Sequence, residues 1–118
     1  MTNKDLIIEQ IKLTFPDSNI QKDELIGLDF KDIGRLSLSE KLTINFNFKS
    51  HIGIDTEYLK MFFETRLKFN NAKLYFNKNS FSIYPRADDL NNDFEQSMSR
   101  AKNFIDTANV MSKFLEYL

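Results

Sequence analysis

The residues that could do chemistry are few. His51 is the only histidine, and a hydrolytic triad needs a general base that titrates near neutrality. No His, Cys or Glu stands at ligand spacing beside it, so it reads as a solvated loop side chain. Gly27, Gly34 and Gly53 are isolated and no Gly-Lys-Ser or Gly-Lys-Thr occurs, which removes the phosphate-cradling loop and the dinucleotide fingerprint. Asp88, Asp89, Asn91 and Asp93 resemble the start of a calcium loop counted from Asp89. The sixth position is then Phe94 and the twelfth Arg100, where the loop requires glycine and a bidentate carboxylate. These acids suit the start of a helix, where they satisfy free N–H groups and the positive dipole end. Seventeen Asp and Glu single out no pair at glycosidase spacing. With no cysteine in the chain, thiol catalysis, disulfides and thiolate zinc sites fall away. The sequence predicts a protein that is not an enzyme and carries no cofactor and no metal.

The elements that would position any site are better marked. Ile7, Ile11 and Phe15 recur every four residues and predict a helix over 3–15, capped by Thr2 with Asp5 and ended by Pro16. Ile26, Leu28 and Phe30 alternate with polar residues or glycine and predict a strand over 24–31. Ile33, Leu36 and Leu38 allow a further strand, interrupted by Gly34. Leu42, Ile44, Phe46 and Phe48 alternate without a break and give the clearest strand. A helix capped by Asp55 or Thr56 follows, with Tyr58, Leu59, Phe62, Phe63 and Leu67 inward, stopping near Asn70 and Asn71. Ala72, Leu74 and Phe76, then Phe81 and Ile83, flank a turn at 77–80 and predict a hairpin. A last helix over about Asn92 to Tyr117 carries Phe94, Met98, Ala101, Ile105, Ala108, Met111, Leu115 and Leu118 at three- and four-residue steps. The expected fold is α+β: an antiparallel sheet of four to five strands with helices on one face, ordered α-β-β-(β)-α-β-β-α, in a single domain over 1–118.

Length and composition agree with that reading. The chain has 118 residues, 12 of them Phe, enough for a core without staples. No apolar run approaches the roughly 18 residues of a membrane span, and the start Met1-Thr2-Asn3-Lys4-Asp5 lacks the pattern of a secretory signal. The expected location is cytoplasmic. Net charge is -1, so bulk electrostatics favour no polyanion. The charge is nonetheless segregated, because 40–86 contains eight Lys and Arg against four Asp and Glu.

Two surfaces emerge as binding candidates. Val110, Phe114 and Tyr117 widen the apolar stripe of the last helix beside Met111 and Leu115, which predicts a dimer or partner interface at its end. The alternatives are that the other helices cover both stripes, or that the sequence continues in a longer protein. The second surface is the sheet face opposite the core, where Lys49, Lys73, Tyr75, Tyr84 and Arg86 fall among amides and hydroxyls. Exposed tyrosines between basic groups could stack single-stranded nucleic acid, form an ordinary cross-strand pair, or receive a peptide.

The order of elements resembles the Tir-chaperone (CesT-type) and YbjN-like fold family over nearly the whole chain. The likeness is clearest from Tyr58 to Leu118, where Phe62, Phe63 and Leu67 precede the LYF and FSIYPR strands and the amphipathic helix. The resemblance implies a small bacterial nonenzymatic protein, often a homodimer, that binds a protein client in the manner of type III secretion chaperones. Secretion chaperones tend to be acidic, whereas this chain is nearly neutral. The expected function is a chaperone-like or adaptor protein that binds a protein partner, without membrane contact. An immunity-type inhibitor of a toxin is the alternative, and a single-stranded nucleic-acid binder the second alternative.

Overall fold

Thr2 closes the first turn of the chain reciprocally: its hydroxyl accepts from the Asp5 N–H at 3.1 Å while the Asp5 carboxylate accepts from the Thr2 N–H at 3.0 Å, a capping box. Helix α1 runs Asn3–Thr14 with Ile7 and Ile11 buried, and Phe15 ends it. The computed structural model describes residues 2–49, 53, 55–67, 73–77, 79–84 and 94–116, with the helix backbone alone over 94–97.

Strands β1 (Glu24–Phe30), β2 (Gly34–Ser39) and β3 (Ile44–Phe48) form an antiparallel meander; α2 (Thr56–Arg66) leads to the hairpin β4 (Lys73–Asn77) and β5 (Ser80–Tyr84), and α3 (Phe94–Leu115) follows. The sheet order is β1-β2-β3-β5-β4, so β4 lies at an edge with β5 between it and β3. The fold is α+β, ordered α-β-β-β-α-β-β-α, and no described helix is long and apolar enough to cross a membrane.

Local chemistry sets several boundaries away from the expected ones. Gly34 does not interrupt the second strand but begins it: a Cβ there would strike the Asn47 carbonyl oxygen and lie 2.6 Å from the Phe46 ring. Leu42 is not a strand residue. Its φ is 63°, and its N–H donates to the Ser39 carbonyl at 2.9 Å within the β2–β3 turn. Asp55 caps α2 by accepting from the Glu57 and Tyr58 N–H groups, and the helix ends at Arg66, four residues before Asn70. Asn70, Asn71, His51 and the acidic group 88–93 lie outside the described residues.

Core side chains share one sheet face. Ile26, Leu36, Leu38, Ile44, Phe46, Phe81 and Ile83 point into a buried cluster with Ile7 and Ile11 of α1, Leu59, Phe62 and Phe63 of α2, and Phe104, Ala108, Met111 and Phe114 of α3. Phe46 stacks on Phe81 with centroids 5.6 Å apart, and Phe81 meets Phe63 at 4.7 Å. Ring pairs of this kind add to burial through their quadrupoles. Helix α1 lies along α3, and α2 reaches α3 and β4.

Candidate functional site

The outer face of the sheet is built row by row from the register. Gly27, Ser37, Asn45, Ser82 and Tyr75 oppose one another across all five strands. Asp29, Arg35, Asn47, Ser80 and Asn77 form the adjacent row. Because side chains alternate along each strand, these rows are the complement of the apolar ones that bury Leu36, Phe46 and Phe81. Ser82 donates its hydroxyl hydrogen to the Asn45 Oδ1 at 2.7 Å, tying β3 to β5 on this face.

At the β1 end the face is occupied by an ion network. The register shifts between Glu24 and Ile26, so that Leu25 and Ile26 are both buried while Glu24 meets Arg35, the local re-aiming that a bulge provides. The Arg35 Nη2 donates to Glu24 Oε1 at 2.6 Å and its Nε to Oε2 at 2.9 Å, a bidentate pair. Nη1 lies 3.1 Å from the Asp29 carboxylate, and Nη2 also reaches the Asn19 carbonyl and Oδ1. Hydrogen bonding to Glu24, with Asp29 assisting and burial opposing, raises the guanidinium above its ordinary pKa. Gly27 leaves the space this side chain fills, since a Cβ there would collide with the guanidinium. Asn19 and Gly27 exchange N–H···O bonds at 2.9 and 2.8 Å, which covers the outer edge of β1.

At the β4 end the chemistry is aromatic. Tyr75 and Tyr84 are 51% and 43% exposed, with ring centroids 5.3 Å apart at 83°, an edge-to-face pair. Lys73 pairs with Tyr84 across the hairpin, and a depression of about 320 Å³ opens against the two rings. The expected grouping is brought together in part. Lys73, Tyr75 and Tyr84 are neighbours, whereas Lys49 sits at the opposite end of β3, where its N–H donates to the Ile33 carbonyl and its ammonium lies 3.9 Å from Asp32. Arg86 lies outside the described residues.

Three of the residues expected to form an interface at the end of α3 are instead buried within the chain. Val110, Met111 and Phe114 are 9%, 0% and 1% exposed, because α1 lies along α3 and the α2 rings cover its end. Phe114 meets Phe62 at 5.4 Å, Tyr58 at 5.7 Å and Phe63 at 6.4 Å. Leu115 is half-buried, and Tyr117 lies outside the described residues. Among the described residues of this helix end, Val110, Met111 and Phe114 are therefore covered by the chain's own helices.

Sequence reasoning did not single out the Glu24–Arg35–Asp29 cluster. Alternation places Gly27 and Asp29 outward, but it puts Glu24 on the face of Ile26; only the register shift after Glu24 and the pairing of Arg35 with Asp29 bring the three charges together. Among the described residues no group of three His, Cys, Asp or Glu is placed to hold a metal ion. Compared with protein-family models, curated proteins and solved structures, the chain matches none of them.

Proposed function

We propose that the protein is a non-enzymatic protein-binding module, chaperone-like or adaptor in its mode of action, that works through the outer face of its sheet around Tyr75 and Tyr84. The observation that carries this reading is the composition of that face. An exposed edge-to-face tyrosine pair stands beside rows of Ser and Asn, while the core lies on the other side. Tyrosines give large contact area with little side-chain entropy to lose, and Ser and Asn give adaptable hydrogen bonds, the combination used by protein-recognising surfaces. Charge argues for a protein rather than a nucleic acid. Arg35 is engaged by two carboxylates and Lys49 sits near Asp32, which leaves Lys73 as the described cation beside the tyrosines, few charges for phosphate contacts.

The test is an affinity capture from lysate of the source cells, run at low and high salt with the wild type and with a Tyr75→Ala/Tyr84→Ala variant whose fold is checked by circular dichroism. A protein held by the wild type at both salt concentrations and lost by the variant is the expected result. A protein retained equally by both would refute the tyrosine face. Nucleic acid captured at low salt and released at high salt would move the assignment to the nucleic-acid reading.

A further inference from the structure

On the helical side of the molecule, away from the sheet face, a cleft of about 360 Å³ lies between the end of α2 and the middle of α3. Three charges line it: Arg66 from the last turn of α2, and Lys102 and Asp106 from α3. Lys102 and Asp106 are four residues apart and so share a helix face, yet no ion pair joins Asp106 to Lys102 or to Arg66 among the described residues. Asp106 is half-buried, and its carboxylate is left open to a cationic group of a ligand. Arg66 is oriented without being neutralised. Its guanidinium lies 3.7 Å from the centre of the Phe62 ring, and its Nη1 donates to the Thr65 hydroxyl at 3.1 Å. Leu67 and Val110, both nearly buried, supply an apolar floor, and Asn103 and Asn109 supply amide donors and acceptors.

Two cations and one carboxylate held apart across a cleft of this size define a ligand by charge. It carries one ammonium group for Asp106, two carboxylates for Arg66 and Lys102, a net charge of about -1 to match the site, and a short methylene stem for the floor. We propose that this cleft binds an acidic α-amino acid, with Arg66 and Lys102 on its carboxylates and Asp106 on its ammonium group. The inference does not depend on the sheet face, and either can fail alone.

The test is an amide NMR titration of the full chain with L-glutamate, alongside glutarate, which keeps both carboxylates but lacks the ammonium, and L-glutamine, which lacks the second carboxylate. Saturable shifts centred on residues 66, 102 and 106 are expected, with glutarate and glutamine each weaker by about tenfold or more. Asp106→Asn should erase the preference for glutamate over glutarate, and Lys102→Gln the preference over glutamine. Both changes are isosteric or solvent-facing, and their folds are checked in the same spectra. Absence of saturable shifts up to about 20 mM glutamate, equal binding of glutarate, or an Asp106→Asn variant that keeps the preference would overturn the proposal.

Discussion

Truncating Phe114 separates a core residue from an interface residue. Its side chain is 1% exposed inside the single chain and lies among the Phe62, Phe63 and Tyr58 rings. Phe114→Ala removes that burial and leaves a cavity the rigid rings close only in part, a loss of roughly 3–5 kcal/mol. A domain of 118 residues holds roughly 6–18 kcal/mol in total, so the variant folds but with much of its margin gone. The melting temperature should fall by roughly 10–20 °C, and with a urea slope near 2 kcal/mol/M the midpoint by about 2 M. The assay is urea and thermal unfolding followed by circular dichroism, with light scattering for molar mass on the same samples. Leu115→Ala, at a half-buried neighbour, serves as the control and should lose far less. If Phe114→Ala unfolded like the wild type within about 1 kcal/mol while its molar mass fell, the residue would belong to an interface and the packing argument would be refuted.

Arg35→Met should lower stability by roughly 2–3 kcal/mol in urea unfolding, because it leaves the sheltered Glu24 carboxylate without its bidentate partner. Gly34→Ala should be more damaging than Gly27→Ala, roughly 1–3 kcal/mol by the same assay, since the added carbon meets backbone at residue 34 and only the Arg35 side chain at residue 27. Hydrogen bonds from the Thr2 N–H and hydroxyl depress the Asp5 pKa below the ordinary carboxylate value. That contribution is therefore present above the unfolded value, near pH 4, and is lost as pH falls through the lower folded one. Asp5→Asn should flatten this part of the acid limb of stability against pH and leave the neutral-to-alkaline limb unchanged.

What the sequence made legible follows from which interactions are local. The four-residue rhythm of Ile7 and Ile11 and the alternation of Ile44, Phe46 and Phe48 report burial directly, and these elements stand where periodicity puts them. Leu42 continues that alternation yet adopts a positive φ, because the turn, closed by Ser39 accepting from the Leu42 and Thr43 N–H groups, overrides the pattern. Gly34 looks like a strand breaker until the crowding by Asn47 and Phe46 is known. The same limit applies to sites. Tyr75 and Tyr84 are placed on the outer face by alternation alone, whereas Arg35 gains its meaning from residues 11 and 16 positions away. Whether Phe114 faces a partner or the chain's own α2 is decided by how the helices pack, which periodicity does not encode.

The pairing of α1 with α3 also sets an order on synthesis. Ile7 and Ile11 leave the ribosome early, but the helix that covers them begins at residue 94. At about 5–20 residues per second the first helix waits for several seconds without α3, its apolar face covered at most in part by the meander of β1, β2 and β3, which can already pair. The nascent chain is therefore exposed to misassociation through its first helix until its last one emerges, and any change that slows synthesis of the C-terminal third lengthens that exposure without altering the finished fold.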